Sequence, residues 1–158
     1  MEWEKKSKRL TPRMALQKAQ NYCAYQDRCP SEVRTKLYEY GLYSTDVEAI
    51  IAELIGDLFI NEERFAQSYA RGKFRFNGWG RIKILLGLRQ KQISEPNIKI
   101  GMKEIDPEEY AATLEDVIAK YQDKYAHLND YERKAKSISY ALSRGFEMDL
   151  ILKIVNKE

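Results

Sequence analysis

The sequence predicts an all-α protein, and three observations carry that prediction. Apolar residues recur at helical spacing almost from end to end, the breaks between these runs carry helix caps, and Gly and Pro are scarce, at eight and four in 158 residues. Hydrophobic residues at 44% and charged residues at 32% fit a soluble globular chain with enough length to bury a core.

From Met14 to Tyr25, apolar residues at Met14, Ala15, Ala19, Tyr22, Cys23 and Ala24 make a broad helical face, which ends at the break Asp27–Pro30. SEVRTKLYEYG then places Val33, Leu37 and Tyr40 at helical spacing and stops at Gly41, because glycine tolerates the left-handed conformation just past a helix end. Thr45, Asp46, Val47 and Glu48 read as a capping box that opens a third helix through Ile50, Ile51 and Leu54. A fourth starts at Asn61, with Glu62 and Glu63 in a first turn where negative charge complements the helix dipole. Neighbours on a helix point about 100° apart, so this carboxylate pair does not form a catalytic site.

Asn77-Gly78 breaks the fourth helix, and a fifth runs from Gly80 to Lys91 on Ile82, Ile84, Leu85, Leu86 and Leu88. A short sixth follows Ser94. Asp106 as cap, Pro107 in the first helical position and Glu109 two further on start a seventh, which reaches Tyr125. Asn129 to Glu132 opens an eighth with the same cap spacing, ending at Gly145, and Glu147 to Val155 supplies a ninth.

These nine helices contain a repeat. The turns after helices two, five and eight read Tyr40-Gly41-Leu42, Lys91-Gln92-Ile93 and Arg144-Gly145-Phe146, spaced 51 and 53 residues apart. Five positions before each apolar turn residue stand Leu37, Leu88 and Ala141, and a short helix follows each turn. The predicted organisation is a tail at 1–12 and three three-helix units at 13–57, 58–104 and 105–158.

Charge is distributed unevenly. Residues 71–81, RGKFRFNGWGR, interleave four basic side chains with three aromatics and three glycines. From Arg64 to Lys91 there are eight Lys or Arg and no Asp or Glu; since the chain has 27 basic and 24 acidic residues, the remainder holds 19 and 24, a net −5. Such asymmetry points to a polyanionic or acidic partner. Arg64, Arg71 and Arg75 recur at seven and four residues along one helix stripe, flanked by Phe65, Tyr69 and Phe76, with Lys73 off to the side. Arg81, Lys83, Arg89 and Lys91 extend the positive field. Phe65 and Phe76 are expected in the core, and Gly78 and Gly80 around Trp79 to let two helices turn sharply against each other.

Several function classes are excluded. No stretch approaches the ~20 apolar residues of a membrane span, and MEWEKKSKRLTPR has no apolar run after its charges, so a cytoplasmic location is expected. Cys23, Cys29 and the lone His127 lack the partners of a metal site or a disulfide framework, so a structural or incidental role is expected for all three. Gly72-Lys73 has Gln67 where a phosphate-binding loop needs its first glycine, and no nucleophile, base and orienting partner can be nominated. GKFRF has the look of an RNA-binding strand motif, but both flanks are helical. Neither an enzyme, nor a cofactor, nor a small-molecule substrate is expected.

SEVRTKLYEYG, then LIGDLFINEERFAQSYARGKFRFNGWGRIKILLGLRQKQI, and finally ALSRGF resemble the successive signatures of the RecX regulatory proteins, over residues 13 to 156. The central block is the specific part: a short acidic helix start, Arg64-Phe65-Ala66, a basic helix, a glycine turn and Arg81-Ile82, in order. The resemblance implies a bacterial cytoplasmic protein of three-helix repeats in an elongated, curved array. It also implies binding to the RecA recombinase filament and modulation of it, usually inhibition, in recombination and DNA repair, without catalysis. Two departures stand out. Gln92 replaces the glycine of the other two turns, which predicts a less sharply defined link, and Gly87 interrupts the fifth helix. Pro96 makes the sixth helix the weakest element of the pattern.

A RecA filament offers both acidic protein surface and phosphate, so the expected contact residues are Arg64, Arg71, Lys73, Arg75, Arg81, Lys83, Arg89 and Lys91. Two partner readings stay open: the filament itself, with single-stranded DNA reached through it, or DNA bound directly by a helical repeat without RecA. Salt separates them, since pure phosphate binding falls steeply with salt concentration.

Overall fold

The computed structural model describes residues 9–157, so residues 1–8 of the expected tail lie outside the described part. Among the described residues nine helices form: α1 Pro12–Tyr25, α2 Pro30–Glu39, α3 Ser44–Gly56, α4 Glu62–Arg75, α5 Arg81–Gln90, α6 Glu95–Met102, α7 Pro107–Lys124, α8 Asp130–Ser143 and α9 Met148–Val155. No strand occurs among the described residues. The most extensive helix-on-helix packing lies within α1–α3, within α4–α6 and within α7–α9, which makes the chain a tandem array of three three-helix units.

Side-chain chemistry explains the starts. Thr11 accepts from Met14 N at 3.2 Å and Pro12 follows it, a start two residues earlier than the apolar face suggests. Asn61, Asp106 and Asn129 cap α4, α7 and α8 as the sequence indicates, at 2.9, 2.9 and 2.8 Å. The predicted box at Thr45 is not formed. Tyr43 is the cap residue of α3 and Thr45 lies inside the helix, while Glu48 pairs with Arg34 of α2 at 2.7 Å instead of reaching back.

The three unit turns are the same structure. Leu42 N donates to Leu37 O, Ile93 N to Leu88 O and Phe146 N to Ala141 O, at 3.4, 3.2 and 3.2 Å. The residue before each, Gly41, Gln92 or Gly145, has a left-handed φ of 84°, 61° or 93°. Gln92 therefore makes as sharp a turn as the glycines, against the expectation of a looser link. The buried apolar residue that follows anchors each turn in its core and outweighs the backbone cost of a side chain at that φ.

Gly87 does not interrupt α5 either. A Cβ there would lie 2.2 Å from the Tyr69 hydroxyl, so the glycine makes room for that ring against a continuous helix. Pro96 sits in the first turn of α6, where no backbone donor is lost, and Gly101 lets α6 approach Ala66 of α4.

Two cores result. Ala15, Ala19, Val33, Leu37, Val47, Ile51 and Leu54 close the first unit, with Ile60 beneath the link to α4. The second and third units share one core, in which Tyr110 lies between Phe74 at 5.7 Å and Phe146 at 5.2 Å. Each Val, Leu, Ile or Phe among them, fully buried, contributes about 1.5–3 kcal/mol relative to exposure. Cys23 and Cys29 are buried and free, and burial pushes both thiols up, which keeps them protonated.

Candidate functional site

The basic segment forms α4, a turn and α5, with Gly78 at a φ of 66° reversing the chain. Its charges meet acidic residues from outside it. Arg64 pairs with Asp27 at 2.6 Å, Arg71 with Glu104 at 3.1 Å, Arg75 with Glu109 at 3.5 Å, Arg81 with Glu147 at 2.9 Å, Arg89 with Glu95 at 3.0 Å and Lys91 with Glu32 at 3.2 Å. The anions that the local sequence lacks come from the rest of the chain.

Most of these pairs stand at joints between units. At the first joint Asp27 also accepts from Ser68 at 2.7 Å, and Arg64 donates to the carbonyls of Leu58 and Phe59 at 3.3 Å each. Burial alone would raise the Asp27 carboxyl, but the hydrogen bonds from Ser68 and Arg64 hold it below the usual carboxylate range. Lys91 is likewise opposed by burial, yet its bond to Glu32 keeps the ammonium raised. Ser31 donates to Lys91 O at 2.8 Å beside it.

At the second joint the N-terminus of α5 docks on the C-terminus of α8. Gly80 N donates to Arg144 O at 2.7 Å, Ile82 N to Gly145 O at 2.9 Å, and Arg81 N to the Tyr110 hydroxyl at 3.0 Å. These donors have no partner within their own helix, and the approach sets the positive end of one helix dipole against the negative end of another. A Cβ on Gly80 would lie 2.3 Å from the Gly145 carbonyl. Gly80 is thus a contact glycine between units, a role that its place beside Trp79 does not reveal. The Tyr110 hydroxyl bonds Glu147, and burial with that bond pushes it up, so it stays protonated as a donor.

Two of the eight cations remain. Among the described residues, neither Lys73 nor Lys83 lies within 4.0 Å of a carboxylate. Their ammonium groups stand 4.8 and 4.6 Å from the Trp79 ring centre, and Tyr69 meets that ring edge-on at 6.4 Å. Arg71, Arg75 and Arg89 hold one carboxylate each at side-chain exposures of 41, 53 and 51%, the class of surface pair worth about 0–1 kcal/mol. Arg64, Arg81 and Lys91 are tied into the joints.

Phe65 is buried, but Phe76 is 90% exposed, contrary to its expected place in the core. The packed face of α4 is the row Ala66, Ala70, Phe74, four residues apart, and Phe76 falls off it. A second basic surface lies on α7 and α8, where Lys120, Lys124 and Lys136 accompany three tyrosines. The sequence reading assigned it nothing, because acidic residues interleave with these lysines along the chain. Among the described residues no group of three or more His, Cys, Asp or Glu could hold a metal, and no helix is long and apolar enough to cross a membrane.

Fold and surface together define a tandem three-helix-repeat protein whose basic segment serves its own joints and leaves a smaller, half-buried cationic and aromatic cluster without carboxylate partners. The family descriptions "RecX, first three-helix domain", "second" and "third" match residues 15–54, 61–102 and 108–155. The chain belongs to the RecX family of regulatory proteins.

It is 32% identical over 140 residues to the regulatory protein RecX of Streptococcus uberis, covering 85% of this chain and 51% of that one. Against that of Lactobacillus johnsonii it is 26% identical over 136 residues, covering 86% and 50%. The chain thus spans about half the length of these curated relatives. The crystal structure of RecX from Lactobacillus salivarius superposes with a TM-score of 0.82 at 25% identity, over 91% of this chain and 94% of that one. A second solved structure, of a regulatory protein RecX, gives 0.83 at 26%, over 92% and 72%.

Proposed function

We propose that this chain binds the RecA–DNA filament in the bacterial cytoplasm and lowers RecA's recombinase and ATPase activity in recombination and DNA repair. The observation that carries this reading is the pair Lys73 and Lys83, which flank Trp79 without a carboxylate while the surrounding arginines are paired. A filament groove presents carboxylates and phosphates to such a face, and Arg71, Arg75 and Arg89 can trade their exposed partners for them. Exposed Phe76, three residues on from Lys73, adds an apolar contact. The tandem array of units at 13–57, 58–104 and 105–158, which the family resemblance implies is elongated and curved, suits the helical path of such a groove.

The test is RecA's DNA-stimulated ATP hydrolysis with increasing amounts of this protein. Inhibition by the native chain and its loss in Lys73→Gln/Lys83→Gln support the reading; equal inhibition by both contradicts it. Direct binding to DNA without RecA is the second reading, and the observation that favours it is the lysine and tyrosine groove between α7 and α8.

A further inference from the structure

A groove of about 420 Å³ opens between α7 and α8, lined by Lys120, Tyr121, Lys124, Tyr140 and Arg144, with Gly78 of the α4–α5 turn. No carboxylate lines it. Among the described residues Lys120, Lys124 and Lys136 have no carboxylate within 4.0 Å, although Asp116 and Asp123 share their helix or its neighbour. The cations therefore stay available, unlike those at the joints.

The aromatic rings are arranged as a short stack. Tyr125 meets Tyr121 at 4.9 Å and 48°, and Tyr121 lies parallel to Tyr140 at 4.2 Å and 6°. Tyr140 ends the stack, is 36% exposed and lines the groove. Lys124 Nζ stands 5.6 and 5.5 Å from the Tyr121 and Tyr125 ring centres, and Lys136 Nζ 5.1 Å from Tyr125. Arg144 is held in place by its bond to Asn77 O.

We infer that this groove and the α7–α8 surface beside it form a binding site for single-stranded nucleic acid, with phosphates on Lys120 and Lys124 in the groove and on Lys136 next to Tyr125 outside it, and a base continuing the tyrosine stack on Tyr140. An acidic peptide would use the lysines but leave the ring platform without a function. Duplex DNA keeps its bases stacked inside, whereas a single strand offers an unpaired base and a phosphate within one nucleotide of each other. The inference deepens the direct-binding reading and does not depend on RecA.

The experiment is fluorescence anisotropy of a labelled oligothymidylate with the full chain alone, across a salt series, with helical content of every variant checked by circular dichroism. The expected result is binding by the native chain. Lys120→Gln/Lys124→Gln/Lys136→Gln should weaken it at least about tenfold at low salt and flatten the log-log salt slope by about 2, since each phosphate contact on a single strand contributes about 0.7. Tyr140→Leu should weaken it about tenfold with the slope unchanged, because stacking releases no counterion. No binding of the oligonucleotide by the native chain, with or without binding to polyglutamate, overturns both the direct-binding reading and the site. Native binding that survives both variants, or is lost instead in Lys73→Gln/Lys83→Gln, overturns the site alone.

Discussion

Arg81 and Glu147 lie 66 residues apart in the chain and 2.9 Å apart in space, and they clamp the second unit to the third. The guanidinium also covers the Tyr110 ring at 3.9 Å, and the Tyr110 hydroxyl bonds both Glu147 and Arg81 N. A cation that the local sequence offers as a partner contact is thus a structural element of the joint. Arg81→Ala should cost about 2 kcal/mol, because it strands a half-buried carboxylate as well as losing a bond. For a chain of this size that lowers the thermal midpoint by about 4–8 °C, read by differential scanning calorimetry. Tyr110→Phe should cost about 1 kcal/mol through the loss of two bonds from one hydroxyl.

Glycines separate joint from helix. Gly80→Ala places a Cβ 2.3 Å from the Gly145 backbone, so the two units must separate and the thermal midpoint should fall further than in Arg81→Ala. Gly72 lies inside α4 with nothing within 4 Å of its Cβ position, so Gly72→Ala should stabilise by about 0.5–1 kcal/mol. Urea unfolding of the pair checks the contrast.

The turn at Gln92 carries a side chain at a φ of 61°, where glycine costs nothing. Gln92→Gly should therefore raise stability by about 0.5–1 kcal/mol, the backbone gain less the entropy of a freer unfolded chain. Gly41→Ala, at a φ of 84° and with Arg9 3.1 Å from the added carbon, should lower it. Denaturant midpoints of the two variants should move in opposite directions.

Asp27 gives the first joint a pH dependence. Its folded carboxyl is lowered, so its contribution is fully present above the unfolded value of about 3.9 and is lost as pH falls through the folded value. The thermal midpoint of the native chain should exceed that of Asp27→Asn by a constant amount well above the unfolded carboxylate value and converge with it as the pH falls below that value. A gap independent of pH would show that Asp27 stays uncharged or unpaired.

The architecture was legible because helix periodicity and turn chemistry are local. Asn61, Asp106 and Asn129 cap as read, and the repeat of Leu37 to Leu42, Leu88 to Ile93 and Ala141 to Phe146 is a repeated backbone hydrogen bond. The misreadings arose where a distant element decided the outcome. Glu48 turned to Arg34 of α2, Gly87 yielded to Tyr69 of α4, and Gln92 was held in its turn by buried Ile93. The basic segment was legible as a concentration of charge but not in its use, because Asp27, Glu104, Glu109 and Glu147 reach it only through the fold. Lys73, set off from the arginine stripe in sequence, is one of the two cations left over.

The proposed division of labour, with Arg64, Arg81 and Lys91 at the joints and Lys73 and Lys83 as the partner contacts, is tested most directly by binding to RecA filament pre-assembled on single-stranded DNA, near physiological salt. The native chain, Lys73→Gln/Lys83→Gln and Arg71→Ala/Arg75→Ala should be measured side by side with their thermal midpoints. The predicted result is a loss of about tenfold or more in the lysine variant, worth on the order of 1–3 kcal/mol, with its midpoint unchanged, and a smaller loss in the arginine variant. Native affinity in the lysine variant, with the loss falling on Arg71 and Arg75 instead, would contradict the account.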